Sequence, residues 1–351
     1  MGARTRGLAN NVLTSGKLDA TDAISGVIPA SNIANGSLTS ATTYGSVTGG
    51  VPAVASDPPS PSEGDVWYNT TTGKLRFRAQ AGAWATGGNL NTGRYYQGNA
   101  GTQTAALGMG GEPPYSALNE SYNGTSWTEV ADLNTAKGGH GSNGTQTSAI
   151  IYGGDVDPHT AQTETWNGSS WTEVGDLNTA RRLTDGAGTD ATNALCFGGY
   201  TGSNKNETES WNGSSWTEVA NLNTTRRNHR SAGASNTAAL CIGGYSTQNE
   251  AITESWNGSS WTEVGDLNAA FVNGGATGTS TAAIAFGGLS PKALTEEWNG
   301  TSWAEVADLA TARDNRIGGS GTSTAGLAFG GGSSSNATEE WTYAATSFDV
   351  G

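Results

Sequence analysis

Arginine recurs at one place in a repeated sequence pattern, and this placement is the clearest chemical signal in the chain. Each arginine lies between a loop similar to "DLNTA" and a short strand-like segment. Guanidinium groups bind carboxylates through paired hydrogen bonds. If the repeats enclose a central channel, arginines around its mouth could bind an anionic sugar or a carboxylate-bearing partner. The predicted ligand-binding arginines are Arg94, Arg181, Arg182, Arg226, Arg227, Arg230, Arg313 and Arg316.

The repetition of these arginines also supports a purely structural role. Each arginine can pair with a glutamate of the repeats, such as Glu164 or Glu209, and hold one repeat to the next. A structural contact is needed in every repeat, whereas a binding site is needed once. Both interpretations therefore stay open at the level of sequence.

A second candidate site is the segment "DVDPHT", in which Asp155, Asp157 and His159 are candidate ligand-binding residues. Carboxylates and an imidazole could coordinate a metal, but no second group of ligands accompanies them, and a capped turn explains the segment equally well. The three histidines lie in different repeats, so nothing supports a Ser-His-Asp triad. We expect no metal, no cofactor and no catalytic residue.

The elements that must position these residues come from a repeat. The phrase "ESWNGSSWTEVGDLN" at residues 254–268 recurs with few changes, and its second tryptophan recurs at intervals of 42 to 45 residues. An apolar run closed by two glycines, as in "ALCFGG", is also present six times. This period is typical of a propeller blade made of four short antiparallel strands.

Each period predicts four strands in a fixed order. A weak inner strand is followed by the apolar strand that ends in Gly-Gly, then by "ETWN" and "SSWTEV". Asn-Gly between the last two strands predicts a type I′ turn, in which both residues have positive φ. Cys196 and Cys241 occupy the same position in successive apolar strands, which indicates a small buried slot and not a disulfide.

These landmarks resemble the Kelch repeat family, in which an arginine precedes the first strand, Gly-Gly follows the second, and spaced aromatic residues occupy the third and fourth. The resemblance covers about residues 84–343 and implies an all-β propeller, with little information on activity. Trp84 arrives as a fourth strand without a blade before it, whereas the last copy ends after "EEWTYA". We therefore expect six blades, the last closed by the N-terminal strand.

The region before the repeats has a different character. Residues 1–57 are rich in Ser, Thr, Ala and Gly and predict an extended arm, and residues 58–83 predict a Pro-rich linker with a β-hairpin from "DVWYN" and "KLRFR". Both parts resemble segments of bacteriophage tail-fibre and other virion proteins. Residues 84–345 form the predicted propeller, and residues 346–351 form a short tail.

Composition excludes some classes of function. The net charge of −14 disfavours nucleic acid as a partner, and no apolar stretch approaches the length of a membrane span. No apolar segment follows the basic start of the chain, so no secretory signal is predicted. The loops between second and third strands differ most among copies, which favours their face of the propeller for binding.

Together these observations predict a non-enzymatic component of a phage particle, located in the virion and assembled in the host cytoplasm. Residues 1–57 would dock onto other virion proteins of the tail or neck, and the propeller would bind a host-surface glycan or receptor. We expect a homo-oligomer or several copies per particle. Two alternatives remain: a head decoration protein that stabilises the particle, and a glycan-active propeller enzyme.

Overall fold

The computed structural model describes residues 51–58 and 65–350, and for residues 78–81 and 344–350 only the backbone. Most of the predicted arm (residues 1–50) and part of the Pro-rich linker (residues 59–64) lie outside the described residues. The chain divides into two compact units, one made of Met1–Gly82 with Tyr343–Gly351 and the other of Ala83–Thr342. In the described ranges no helix could cross a lipid bilayer.

The first unit contains the predicted hairpin. Its strands are β1 (Ala53–Val54), β2 (Val66–Asn69) and the start of β3 (Lys74–Thr86). β2 pairs antiparallel with β3, as the sequence predicted, and β1 adds a short parallel pairing to β2. The Asp57 carboxylate accepts hydrogen bonds from Trp67 Nε1 and Asn69 Nδ2, both at 2.9 Å, and forms an ion pair with Arg76.

The second unit is built from short antiparallel strands. They are β4 (Gly98–Thr102), β5 (Ala105–Met109), β6 (Asn119–Tyr122), β7 (Trp127–Val130), β8 (Gly141–Gly144), β9 (Ala149–Tyr152), β10 (Thr163–Trp166), β11 (Trp171–Val174), β12 (Asp185–Asp190), β13 (Asn193–Phe197), β14 (Thr208–Trp211), β15 (Trp216–Val219), β16 (Arg230–Ser235), β17 (Ala238–Tyr245), β18 (Asn249–Trp256), β19 (Trp261–Glu263), β20 (Gly275–Gly278), β21 (Ala283–Phe286), β22 (Thr295–Trp298), β23 (Trp303–Glu305), β24 (Gly318–Gly321), β25 (Ala325–Phe329) and β26 (Thr338–Val350).

Consecutive strands of the second unit pair in groups of four. Sheet 1 is β4–β7, sheet 2 is β8–β11, sheet 3 is β12–β15, sheet 4 is β16–β19 and sheet 5 is β20–β23. In sheet 6, β24, β25, β26 and β3 follow one another in that order, and the end of β3 from Ala83 onwards belongs to this unit. The strand order predicted for each repeat is therefore present.

Burial explains why the four strands differ in sequence. The second strand of a sheet is apolar along most of its length and buried on both faces, as in "NALCF" of β13, whereas the fourth strand buries little more than its tryptophan, as in "WTEV" of β15. Cys196 and Cys241 lie in two of these second strands, are fully buried and carry free thiols, which confirms the predicted slot. Burial raises the pKa of each thiol to about 12.

The turn between the third and fourth strands was predicted incorrectly. Trp211 pairs with Trp216, so the connection is a loop of four residues, Asn-Gly-Ser-Ser, and not a two-residue type I′ turn. Gly213 has a positive φ of 94°, but Asn212 does not. The Asn212 Oδ1 instead accepts hydrogen bonds from the backbone N–H groups of Ser214 and Ser215, both at 3.0 Å. The loop therefore needs the asparagine for its side-chain oxygen and the glycine for its positive φ.

Tryptophans of the fourth strands connect most sheets to the preceding one. In five of the six sheets of the second unit the indole Nε1 donates to a threonine Oγ1 of the neighbouring third strand, at 3.0 to 3.1 Å. The pairs are Trp84–Thr295, Trp127–Thr338, Trp216–Thr163, Trp261–Thr208 and Trp303–Thr253. The exception is Trp171 of sheet 2. In sheet 1, Asn119 occupies the position of the threonine, and the buried Trp171 Nε1 has no hydrogen-bond partner.

Backbone hydrogen bonds also join neighbouring sheets of the second unit. One residue shortly before each first strand has a positive φ, between 55° and 62°. In five sheets the N–H of this residue donates to the carbonyl of the equivalent residue of the preceding sheet; in sheet 6 the N–H of the next residue, Arg316, does so. These hydrogen bonds are 2.7 to 3.1 Å long. The Tyr96 N–H of sheet 1 donates to the Asn315 carbonyl of sheet 6 at 3.0 Å. The six residues are Tyr96, Gly139, Leu183, Asn228, Asn273 and Asn315.

Candidate functional site

The first group of predicted site residues forms a buried ion-pair layer. In sheet 3, Arg181 pairs with Glu209, and both side chains are fully buried. In sheet 4, Arg226 Nη2 lies 2.7 Å from Glu254 Oε1, again with both side chains fully buried. The equivalent pairs in other sheets are Arg94–Glu120, Lys137–Glu164 and Arg313–Glu339.

These ion pairs correct the prediction of an arginine rim. Arg94, Arg181, Arg226 and Arg313 are each at most 2% exposed, so a ligand in solvent cannot reach their guanidinium groups. Burial lowers the pKa of Arg94 and Arg313, and the paired Glu120 and Glu339 oppose that effect. The predicted pairing with glutamate is confirmed for these four arginines, but each ion pair lies within one sheet and does not itself join two sheets.

The same carboxylates hold the "DLN" segments of the preceding sheets. Glu254 Oε2 accepts hydrogen bonds from the backbone N–H and the side-chain Nδ2 of Asn223, at 2.7 and 2.8 Å. Sheet 5 keeps this arrangement around Glu296 but has no cation, because Phe271 occupies the position of the arginine. The repeated phrase therefore encodes contacts within and between sheets.

Three other predicted residues, Asp155, Arg182 and Arg227, form a surface feature together with Tyr200 and Tyr245, and we call these five residues the Arg-Tyr ridge. The guanidinium of Arg227 lies 4.7 Å from the ring centroid of Tyr200 and 4.8 Å from that of Tyr245. Arg182 lies 5.6 Å from Tyr200 on the other side and forms an ion pair with Asp155. The ridge thus crosses sheets 2, 3 and 4.

Backbone bridges position the ridge. Arg182 pairs with Tyr200 and Arg227 pairs with Tyr245, so each arginine before a first strand lies beside the residue that follows Gly-Gly in the same sheet. Asn204 Oδ1 accepts a hydrogen bond from Arg227 Nη1 at 2.9 Å. The two arginines and two tyrosines are partly exposed, and the Arg182 side chain is 37% exposed. The ridge is therefore ordered by its own contacts and remains accessible to a ligand.

The "DVDPHT" segment lies at one end of the ridge. Asp155 pairs with Arg182, and its Oδ1 accepts the N–H of Asp157 at 3.4 Å in the manner of a capped turn. His159 lies in the same loop and forms a backbone bridge with Asp155. Within residues 51–58 and 65–350, no three His, Cys, Asp or Glu side chains come together as a group able to hold a metal ion.

Two further predicted residues, Arg230 and Arg316, lie in the interior of the second unit. Arg230 Nη1 lies 3.3 Å from Asp185 Oδ2, and its Nη2 donates to Asn99 Oδ1 at 2.9 Å. Arg316 Nη2 donates to the carbonyls of His140 and Thr184, at 3.3 and 2.8 Å. Arg230 is 2% exposed and Arg316 is fully buried, so the prediction of a solvent-facing rim is wrong for both.

A cavity of about 100 Å³ lies beside Arg230. Its wall consists of small polar residues and glycines from the first strands of all six sheets, β4, β8, β12, β16, β20 and β24. Side-chain hydrogen bonds join neighbouring first strands around it, as from Ser142 Oγ to the Asn99 carbonyl at 3.0 Å and from Ser320 Oγ to the Ala100 carbonyl at 3.1 Å.

Two histidines are buried near the cavity but serve the backbone. His140 Nε2 lies 3.2 Å from the Met109 carbonyl, and His229 Nε2 lies 3.1 Å from the Phe197 carbonyl. Burial lowers the pKa of His140 to about 3 and lowers that of His229 well below its usual value, and nearby cations add to both effects. Both imidazoles are therefore neutral near pH 7.

The sequence analysis missed Tyr200, Tyr245 and Asn204. A signal was present, because the doublets Arg181-Arg182 and Arg226-Arg227 occur in the same two repeats that have tyrosine directly after Gly-Gly. Asp185 was also missed, and no pattern pointed to it. Its partner Arg230 belongs to a different repeat, so only the three-dimensional arrangement brings the two together.

Comparisons with known proteins support the fold. The solved structure of YjhT superposes with a TM-score of 0.61 and 10% sequence identity, covering 75% of this chain and 100% of YjhT. No protein-family model matches the sequence. No curated protein matches it either. At this identity the similarity shows the fold alone, and with the repeated four-stranded sheets it makes the second unit a β-propeller.

Proposed function

We propose that this protein is a non-enzymatic structural component of a phage particle. Residues 1–57 dock it onto the virion at the tail or neck, and the propeller is displayed to bind an anionic glycan or a carboxylate-bearing receptor of the host surface. The observation that carries the binding role is the Arg-Tyr ridge. The particle assignment rests on the virion-like composition of the arm and the hairpin segment.

The display unit in this proposal is a closed six-bladed propeller with Kelch-like blades, the last completed by the end of β3. The six backbone hydrogen bonds that join neighbouring sheets and the cavity lined by six first strands support the number and the closure. Trp84 supports the clasp, because its Nε1 donates to Thr295 as the other fourth-strand tryptophans donate to their threonines. A closed ring leaves no sheet edge unpaired at the seam.

The chemistry of the ridge favours an anionic ligand. Stacking on Tyr200 and Tyr245 holds the guanidinium of Arg227 in one orientation before a ligand arrives, which reduces the entropy lost on binding. Guanidinium N–H groups form paired hydrogen bonds to carboxylates. The surrounding protein carries a net charge of −14, so the ridge would contact one anionic group rather than attract a polyanion over a long range.

Weak contacts at a single ridge suffice if the protein is present in several copies. Binding of one copy then raises the effective concentration of the others at the host surface, and avidity exceeds the affinity of one propeller by roughly 10²-fold or more.

Binding is tested with the full-length protein on immobilised bacterial surface polysaccharides, with neutral dextran as the reference. We expect retention on carboxylate-bearing polysaccharides and at least about a tenfold loss of affinity for Arg227→Gln, the amount expected for one charge-assisted contact. Glu218→Gln, an exposed charge change on β15, is the matched control and should bind as the wild type does. Equal retention of wild type and Arg227→Gln would exclude the ridge as the binding surface.

The particle role needs a separate experiment. Full-length protein and a variant without residues 1–57 are expressed during infection, and purified particles are probed and imaged for the protein. The proposal expects the full-length chain on tail or neck and the shortened chain absent. A head location, with particle stability lost and host binding unchanged, would support the decoration function instead. Release of sugar by the purified protein would contradict the non-enzymatic role.

A further inference from the structure

The cavity beside Arg230, which we call the axial cavity, has two wall residues with an unsatisfied donor and one, Asp185, whose Oδ2 is an acceptor without a hydrogen bond. Arg230 Nε and Asn143 Nδ2 belong to residues of its wall, are buried, and have no hydrogen-bond partner. The Asn143 Oδ1 is used, since it accepts the Tyr152 hydroxyl at 3.2 Å. A buried N–H without a partner destabilises the folded protein, so a bound acceptor, either water or an anion, would stabilise it.

The charge next to Arg230 is also unbalanced. Arg230 and Arg316 supply two positive charges, and Asp185, in ion-pair contact with Arg230, supplies one negative charge. Arg316 is fully buried, and its Nε and Nη1 have no partner. Burial and, to a smaller extent, the charge of Arg230 lower the pKa of Arg316 to about 10. This guanidinium therefore remains positive at neutral pH.

The neighbouring titratable groups do not supply the missing negative charge. His140 and His229 are neutral, and burial raises the pKa of Tyr96 and Tyr152, so both phenols stay protonated. Buried charges in proteins are normally paired or bound to an ion. The surplus of one positive charge therefore points to an anion rather than to a cation.

We propose that the axial cavity binds one small monovalent anion of the chloride type, held by Arg230 Nε, Asn143 Nδ2 and the surplus charge of Arg316. The volume of about 100 Å³ accommodates such an ion with a few waters, since one water occupies about 30 Å³ of liquid. The ion connects first strands of several sheets, so its binding stabilises the propeller. This role is independent of any ligand at the Arg-Tyr ridge.

Direct detection uses crystals of the full-length protein grown with bromide in place of chloride. The expected result is an anomalous peak in the cavity within hydrogen-bonding distance of Arg230 Nε. A cavity that contains only water in these crystals would overturn the proposal. This measurement uses the wild-type protein, so it does not depend on the folding of a variant.

A solution experiment measures the melting temperature in sodium chloride against sodium gluconate at equal ionic strength. At chloride concentrations about ten times the Kd, a saturable increase of roughly 3 to 6 °C is expected.

Asp185→Asn increases the positive surplus and should shift the chloride titration to about tenfold lower concentration. Arg316→Met should remove the chloride effect, whereas Arg182→Met on the ridge should preserve it. Equal melting temperatures of the wild type in the two salts would contradict the proposal.

Discussion

Arg181 and Arg182 are neighbours in the chain but belong to two regions with opposite properties. Arg181 is fully buried against Glu209, in a layer that recurs in five sheets, whereas Arg182 is partly exposed and forms the Arg-Tyr ridge, which exists once. Arg226 and Arg227 repeat this contrast. A residue type that recurs in most repeats serves the fold, and a feature that appears in only two or three repeats is the better candidate for recognition.

The largest expected difference between the two regions is in stability. Arg226→Met leaves Glu254 buried without its cation and should lower the free energy of unfolding by about 3 to 5 kcal/mol. Arg227→Met on the ridge should lower it by only about 0.5 to 1 kcal/mol. Chemical denaturation of the two variants measures both values. Similar losses would show that the layer and the ridge do not differ as described.

Sheet 5 sharpens the comparison, because its carboxylate has no cation. Glu209→Gln leaves Arg181 buried without a counter-charge, with an expected loss of about 3 to 5 kcal/mol. Glu296→Gln removes no ion pair and keeps an oxygen for the N–H groups of Asn268, so a loss of about 1 kcal/mol is expected. Denaturation curves of the two variants should rank in this order, and the reverse ranking would argue against the cation as the source of stability.

The buried region should also determine how stability depends on pH. The pKa of His140 is about 3 in the folded protein and near 6.5 when exposed, so unfolded chains bind a proton that the folded protein excludes. This contribution is complete above pH 6.5 and is lost as the pH falls towards 3, with a slope of up to about 1.4 kcal/mol per pH unit. His140→Gln should remove that part of the slope in denaturation curves between pH 4 and 8, while Arg227→Met should retain it.

The smallest predicted effect is a gain in stability. Asn119→Thr provides the hydroxyl that Trp171 Nε1 lacks and should stabilise the protein by about 1 kcal/mol. Thr208→Val is the mirror experiment, because it removes the partner of Trp261 Nε1 and should cost about 1 to 2 kcal/mol. A stabilised Thr208→Val, or an Asn119→Thr variant less stable than the wild type, would mean that the indole contacts do not connect the sheets as inferred.

Much of the second unit followed from the sequence. The order of the four strands, the buried cysteine slot and the pairing of arginine with glutamate all depend on residues that lie within one repeat. The prediction of a type I′ turn was wrong because it relied on the backbone conformations that Asn and Gly allow. In the loop, the asparagine side chain instead accepts backbone hydrogen bonds. The Arg-Tyr ridge was predicted only in part, because its tyrosines are separated from their arginines by about one strand pair.

By itself, the sequence determined the repeat, its strands and the residues that each blade needs, because these contacts are short in range and occur several times. Only the tertiary structure decided which arginines are buried and which are exposed. It also placed Arg230 beside Asn99 and Arg316 beside the His140 carbonyl, at separations of 131 and 176 residues. Such contacts exist only after the sheets have packed against one another, because the burial that gives them their strength comes from residues far away in the chain.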